Sequence, residues 1–359
     1  MREFIKKLFY LLCLPLSLIA KYKKGIAVSI FEYILRAYYD DINTFAHCRI
    51  SDISNKQISA WDDDDIAFIV QGPIRYENNF TYNMLNYYRK IYPKAYIVVS
   101  TWKNEVTDSL RSDLDEIKVD IIENDLPDKP GYGHVNYQLH STIAGLKSAK
   151  NKNIKYAIKI RTDQIFYKPN LIKYLKNQLT LYPSTNNNIN KRLILLGHVN
   201  SYINIPYHIS EYLCFGTIDA VFSFYDSPLD MTDHDYSQHN KPHFYPLARI
   251  ISYYELDRNI DNAKKEKILK IISSYVSAEI YIIKNYCMRL HDFQINDDYK
   301  AYLQFLEEYC IILDSSDLMM CFPKSSKVSL SDMYASLGGG LDHALWLDIM
   351  LKSKVTKQC

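Results

Sequence analysis

The chain has 359 residues, 48% of them hydrophobic, enough to bury a substantial core and too apolar for a disordered or fibrous protein. Its 43 Lys and Arg nearly cancel its 41 Asp and Glu, which removes the electrostatic footprint of a dedicated nucleic-acid binder and predicts no nucleic-acid partner. The cysteines, Cys13, Cys48, Cys214, Cys287, Cys310, Cys321 and Cys359, stand singly without a C-x-x-C pair, a pattern that suits reduced cytoplasmic thiols rather than a disulfide frame or zinc site.

The first candidate element is the apolar run Leu8–Ala20, flanked by Lys6, Lys7, Lys21, Lys23 and Lys24. It falls short of the ~20 apolar residues a membrane span needs. It also lacks a small-residue cleavage site, so a secretory signal fits poorly. Two readings stay open: an interfacial segment resting on the anionic inner face of the plasma membrane, or a helix packed against the domain. Helical spacing continues to about residue 60, and the chain divides into a membrane-proximal segment (1–60), a catalytic-type domain (61–260) and a helical extension (261–359).

From the aspartate run "DDDD" the pattern changes. The run reads as a solvated turn before a buried strand, "IAFIVQGPI". A helix "FTYNMLNYYRKIYP", a strand "AYIVVSTW", a helix "EVTDSLRSDLDEI", a strand "KVDIIEND", a Pro/Gly loop "LPDKPGYGH", a helix "VNYQLHSTIAGLKSAKN" and a strand "YAIKIR" follow in turn. Strands alternating with helices of this length predict an α/β domain with a mainly parallel sheet.

In such sheets ligands bind beyond the carboxyl ends of the strands. The residues leaving the four strands are Gln71, Gly72 and Pro73; Ser100, Thr101 and Trp102; Glu123, Asn124 and Asp125; and Arg161, Thr162, Asp163 and Gln164. One polar exit means little, but four in succession, the first with a Gly-Pro that admits close approach, point to a nucleotide or sugar cleft. On the helix "VNYQLHSTIAGL", Asn136, Gln138 and Ser141 supply amides and a hydroxyl, while Leu139, Ile143 and Leu146 face the core. His134 and Asn136 are therefore candidate sugar or phosphate contacts, and His140 is read as structural.

Downstream, "NQLTLYPSTNNNINKR" reads as an Asn-rich loop, "LILLGHVNSYIN" as a strand, and "YHISEYLCFGTIDAVFSFYDSP" as a polar stretch entering an apolar segment. Residues 261–290 read as helical, and the glycines of "SLGGGLDHALW" suggest a loop.

Taken together in this order, "IVQGPI", "IVVSTW", "VNYQLHSTIAGL", "YAIKIRTDQ" and "HISEYLCFGTID", with a weaker likeness through "AEIYIIKNY", resemble the WavE lipopolysaccharide-synthesis family, over about residues 65–228. The resemblance implies a GT-A-like glycosyltransferase: a nucleotide-sugar donor, a glycan or lipid-linked acceptor at an anionic membrane surface, and donor contacts at the strand exits. Such enzymes carry an Asp-x-Asp whose divalent cation bridges the donor diphosphate. Here that position reads "RTD", with Arg161 in place of the first carboxylate. Asp163 is then the candidate ligand for Mg²⁺ or Mn²⁺, the reading carried forward, or Arg161 itself neutralises the diphosphate. For inverting transfer, the resemblance puts the acceptor-side base at Glu211, with Asp219 as the second candidate. A nucleotidyltransferase of sugar phosphates and a non-catalytic glycan-assembly component are the alternatives.

Overall fold

The computed structural model describes residues 63–152, 154–184, 192–197, 199–203, 205–233, 277–290, 293, 299–321 and 340–356. All belong to the unit Ile50–Cys359. The run Leu8–Ala20, the helical preface, residues 185–191 of the Asn-rich loop, residues 261–276 and residues 336–339 lie outside the described residues.

Nine strands and eight helices are described: β1 (Ile66–Gln71), α1 (Phe80–Ile91), β2 (Tyr96–Trp102), α2 (Asp108–Glu116), β3 (Asp120–Asn124), α3 (Val135–Lys150), β4 (Tyr156–Arg161), β5 (Ile165–Phe166), α4 (Leu171–Leu181), β6 (Leu193–Gly197), β7 (Ser210–Thr217), α5 (Ile218–Tyr225), α6 (Ala278–Met288), α7 (Tyr299–Tyr309), β8 (Cys310–Asp314), β9 (Met320–Cys321) and α8 (His343–Thr356). The main sheet has the order β3-β2-β1-β4-β7-β6-β8, and β5 pairs with β9 in a separate ribbon. Within the main sheet every neighbouring pair is parallel except those made by β7, which runs against both β4 and β6. This is the mainly parallel, helix-flanked sheet that the alternating elements predict.

Local chemistry explains the elements. All six residues of β1 are buried, as in a central parallel strand covered on both faces. On α1, Met84, Leu85, Tyr88 and Ile91 recur at helical spacing and are buried, and Pro93 stops the helix. The Thr107 hydroxyl caps α2 by accepting from Leu110 N–H at 3.2 Å. Helix α3 lies so close to β1 that a Cβ on Gly145 would stand 2.7 Å from Ile69 Cγ2. The expected solvated turn is tied down: Asp63 and Asp65 pair with Lys176 of α4 at 2.9 and 2.6 Å.

Three expectations change. Residues Asn177 to Leu181, read as loop, close α4 because Leu175 and Leu179 bury its inner face. His343 opens α8, read as part of a glycine loop, and Trp346 is fully buried against the core. The C-terminal segment is not only helical, since Cys310–Asp314 forms the sheet's edge strand, paired in parallel with β6.

Candidate functional site

Because β7 is reversed, its first residues share an edge of the sheet with the last residues of the other strands. The register gathers the predicted exits there: Gln71 pairs with Ser100 on one side and Arg161 on the other, and Trp102 pairs with Asn124.

Gly72 takes φ +122, a conformation that suits glycine, and its N–H donates to Ser100 O at 3.1 Å. A Cβ there would lie 3.0 Å from Thr162 Oγ1. Thr162 stitches the exits of β1 and β4 together. Its N–H donates to Gln71 O at 3.0 Å, its hydroxyl donates to Pro73 O at 2.6 Å, and its carbonyl accepts from Thr81 at 3.1 Å. Asn124 Nδ2 donates to Ser100 Oγ and Thr101 O at 2.9 and 2.8 Å, and Thr101 Oγ1 donates to Glu105 at 2.5 Å. Ser100, Thr101 and Asn124 are thus buried and engaged with the protein, so they shape the edge, whereas Pro73 is exposed. Asp125 is an exposed partner of Lys103 at 2.8 Å.

An aromatic group borders this half. Trp102 meets Tyr137 edge-on at 5.4 Å and stacks on His140 at 6.5 Å. His134, exposed and left-handed at φ 63, lies 5.6 Å from the Tyr137 ring. Gln138 is half-buried on the same helix. Asn136 departs from the ligand-contact expectation: its amide donates to Lys129 O and Asp230 O at 2.9 and 2.8 Å and accepts from Asp230 N–H at 2.7 Å. It clamps two loops together, which a backbone leaving a helix start with unsatisfied polar groups requires.

The charged centre lies where β4 ends. Arg161 donates from Nε and Nη2 to the two oxygens of Asp163 at 2.9 and 3.0 Å, and Arg75 approaches Asp163 at 3.7 Å. The Arg161 guanidinium lies 4.9 Å from the Tyr212 ring. Burial pushes the Arg161 pKa down, but Asp163 outweighs it and holds the group above its ordinary value. Gln164 Nε2 donates to Tyr212 O.

One turn of the pleat deeper, Lys159 contacts the Glu211 carboxylate and donates to Glu211 O at 2.9 Å. Both side chains are buried, and burial lowers the Lys159 pKa against the opposing charge of Glu211. The backbone makes this meeting possible. Pairing of β4 with β7 ends at Lys159↔Cys214, and the β6–β7 register jumps between Leu195 and Leu196. Such a bulge re-aims side chains, here turning Glu211 toward β4. Glu211 Oε1 is buried without a hydrogen-bond partner among the described residues.

A further carboxylate enters from the C-terminal helices. Glu279, in the first turn of α6, accepts from Asn200 Nδ2 at 2.6 Å and faces His208 Nε2 at 3.6 Å. Burial, then the charge of Glu211, raises the Glu279 pKa, and burial lowers that of His208 to about 3. Arg75, Lys159, His208 and Glu279 are the residues that sequence reasoning misses. A lysine inside the apolar strand "YAIKI" and the Ser-Ala-Glu helix start before "IYIIKNY" are the signals that were there to be read.

Asp219 does not join this centre. It follows the far end of β7, where Tyr156 pairs with Thr217, and its exposed carboxylate pairs with Lys150 at 2.8 Å. The whole length of β4 separates it from Arg161, because an antiparallel strand carries its two ends to opposite edges.

Among the described residues the donor set does not fit a divalent cation. Both oxygens of Asp163 receive the Arg161 fork, and among the described residues no group of three His, Cys, Asp or Glu could hold a metal. Hard cations take several oxygen ligands, whereas a guanidinium pair suits phosphate directly.

A family model described as WavE lipopolysaccharide synthesis matches residues 66–294. Among solved structures, a cytidylyltransferase from Leptospira borgpetersenii serovar Hardjo-bovis is similar at 13% identity, covering 61% of this chain and 91% of that one, with a TM-score of 0.27. Mouse xyloside xylosyltransferase 1 in its apo form is similar at 8% identity, covering 70% and 85%, with a TM-score of 0.32. No curated protein matches the chain.

Proposed function

Since the chain belongs to the WavE lipopolysaccharide synthesis family, we propose that it is a glycosyltransferase that moves a sugar from a nucleotide-sugar donor onto a lipopolysaccharide, O-antigen or capsule precursor. The observation that carries the reading is the Arg161–Asp163 fork, with Arg75 beside it, at the carboxyl edge of the sheet. Open α/β sheets bind ligands beyond this edge, and a departing nucleoside diphosphate gathers negative charge there.

In this mechanism Asp163 orients Arg161, which is stacked against Tyr212, and the two guanidiniums stabilise the leaving diphosphate without a cation. Gly72 lets the donor approach the backbone, and the Trp102, Tyr137 and His134 rings border the nucleotide side. The acceptor is lipid-linked and reaches the enzyme at an anionic membrane, where the Leu8–Ala20 run and its lysines supply the contact. No helix among the described residues is long and apolar enough to cross a membrane.

A panel of nucleotide sugars, scored for thermal stabilisation and slow donor hydrolysis with chelator or Mn²⁺ present, tests the reading. One nucleotide class should stabilise the protein and be turned over, with chelator having no effect. Arg161→Ala should cost more activity than Arg161→Lys, which keeps the charge and loses the fork. Pyrophosphate release from a nucleoside triphosphate and a sugar phosphate would instead identify a nucleotidyltransferase. Silence toward every donor would leave a non-catalytic assembly component.

A further inference from the structure

Asp163, Glu211 and Glu279 all bear on the Arg161 guanidinium, but Glu279 alone is paired with neither a lysine nor an arginine among the described residues. Asp163 accepts from Arg161 at both oxygens. Glu211, 1% exposed, is already engaged by the fully buried Lys159 side chain. Glu279 differs in its partners: Asn200, the Ser277 hydroxyl and its own backbone N–H are uncharged donors, with His208 beside it. Asn200 carries no charge, and burial keeps His208 neutral above about pH 3.

The helix presents Glu279 in a defined way. The Ser277 hydroxyl caps α6 by accepting from Ile280 N–H at 3.1 Å, which fixes the first turn. Asn200 donates to Oε1, the Ser277 hydroxyl and the Glu279 N–H also bond the carboxylate, and Oε2 lies on the His208 side. Glu211 Oε1, an acceptor buried without a partner among the described residues, adds an independent sign of a missing hydroxyl at this centre.

We propose that Glu279 is the proton acceptor for the incoming hydroxyl, and that Glu211 Oε1 accepts a hydrogen bond from a neighbouring sugar hydroxyl in the same subsite. This inference rests on the glycosyltransferase reading above. The acceptor O–H bond breaks and its proton passes to Glu279 Oε2. The acceptor oxygen forms its bond to the anomeric carbon with the electron pair so released. The bond from that carbon to the phosphate oxygen breaks, and its electrons leave with the nucleoside diphosphate beside Arg161. Glu279 then returns the proton to water.

The test uses the full chain with the donor found by the screen and a glycan acceptor. Glu279→Gln should lower kcat by about 10²–10⁴-fold while leaving the thermal stabilisation by the nucleoside diphosphate at its wild-type value. Glu279→Asp, which keeps the carboxylate but withdraws it by one methylene, should fold normally and fall between the two in kcat; it decides the matter if the glutamine variant does not fold. Turnover of either variant within about threefold of wild type overturns the role of Glu279. Loss of rate together with loss of nucleotide stabilisation also overturns it, because the residue would then be structural. Absence of turnover by the wild type with every donor overturns the glycosyltransferase reading instead.

Discussion

Strands β1 to β4 and strands β6 to β8 belong to one sheet, yet they bring polar groups to its carboxyl edge by different routes. In the first half β1, β2 and β3 are each followed by a helix and the next strand runs parallel, so every exit is adjacent in sequence to the strand that delivers it. In the second half a reversed strand, a register jump and a helix far along the chain place Glu211, His208 and Glu279. Buried neutral hydrogen bonds, such as Asn124 to Ser100, tie the exits of β2 and β3, while the Arg161–Asp163 pair at the end of β4 and the buried Lys159–Glu211 pair join the second half by charge. A site assembled from both therefore has a scaffold on one side and a set of ionisable groups on the other.

The junction of the halves is the Lys159–Glu211 pair, and breaking it should have the largest effect on stability. Lys159→Met leaves the Glu211 carboxylate buried without its cation, which costs about 3–5 kcal/mol in cases of this kind. Urea unfolding should show that loss, and the double variant Lys159→Met/Glu211→Leu should recover most of it, because two well-packed apolar side chains remove the uncompensated charge. A single-variant loss below about 1 kcal/mol would mean that the pair is solvated, as exposed pairs are.

This contrast also explains what the sequence makes legible. Continuous apolar runs and period-3.6 helices are local signals, so β1 to β4, α1, α2 and α3 can be read with their exits, as can the mainly parallel sheet. Asp163 and Arg161 are found for the same reason. The direction of β7 is set by its neighbours rather than by its own residues. Without it, Asp219, eight residues after Glu211, remains a second candidate for the same role, although the strand carries the two to opposite edges. Glu279 is harder still, because its link to the site runs through Asn200 and His208, long-range contacts with no periodic trace. Asn136 and Asn124 show the opposite error. Their type is that of a ligand contact, but groups of strand β2 engage the amide of Asn124 and loop carbonyls that of Asn136 first.

Within the first half the sharpest test is steric. Gly145→Ala would drive a methyl to 2.7 Å from Ile69 Cγ2, in the middle of a fully buried strand. Overpacking costs about 1–3 kcal/mol. The gain in helix propensity, about 1 kcal/mol, offsets part of it. The net result should be a lower denaturation midpoint with an unchanged m-value. A midpoint equal to wild type or higher would show that α3 lifts from β1 at no cost, and that the first half is less rigidly packed than its hydrogen bonds suggest.

The smallest effect should come from Asp219→Asn, and it bears most directly on the difference between the two ends of β7. The side chain is 80% exposed and its partner Lys150 is 37% exposed, so the ion pair is of the surface kind, worth about 0–1 kcal/mol and weakened further by salt. Asp219 also lies in the first turn of α5, where its charge favours the helix N-terminus. Asparagine loses that contribution, but the Thr217 hydroxyl still accepts from Ala220 N–H at 3.3 Å and keeps the helix start intact. The variant should therefore melt within a degree or two of wild type, roughly what a few tenths of a kcal/mol produces. Its turnover should be unchanged, because the edge that holds Arg161 lies at the other end of β4. A large fall in kcat with the melting temperature preserved would place chemistry at the amino-terminal edge of the parallel strands. The grouping of Arg161, Glu211 and Glu279 as one centre would then have to be abandoned.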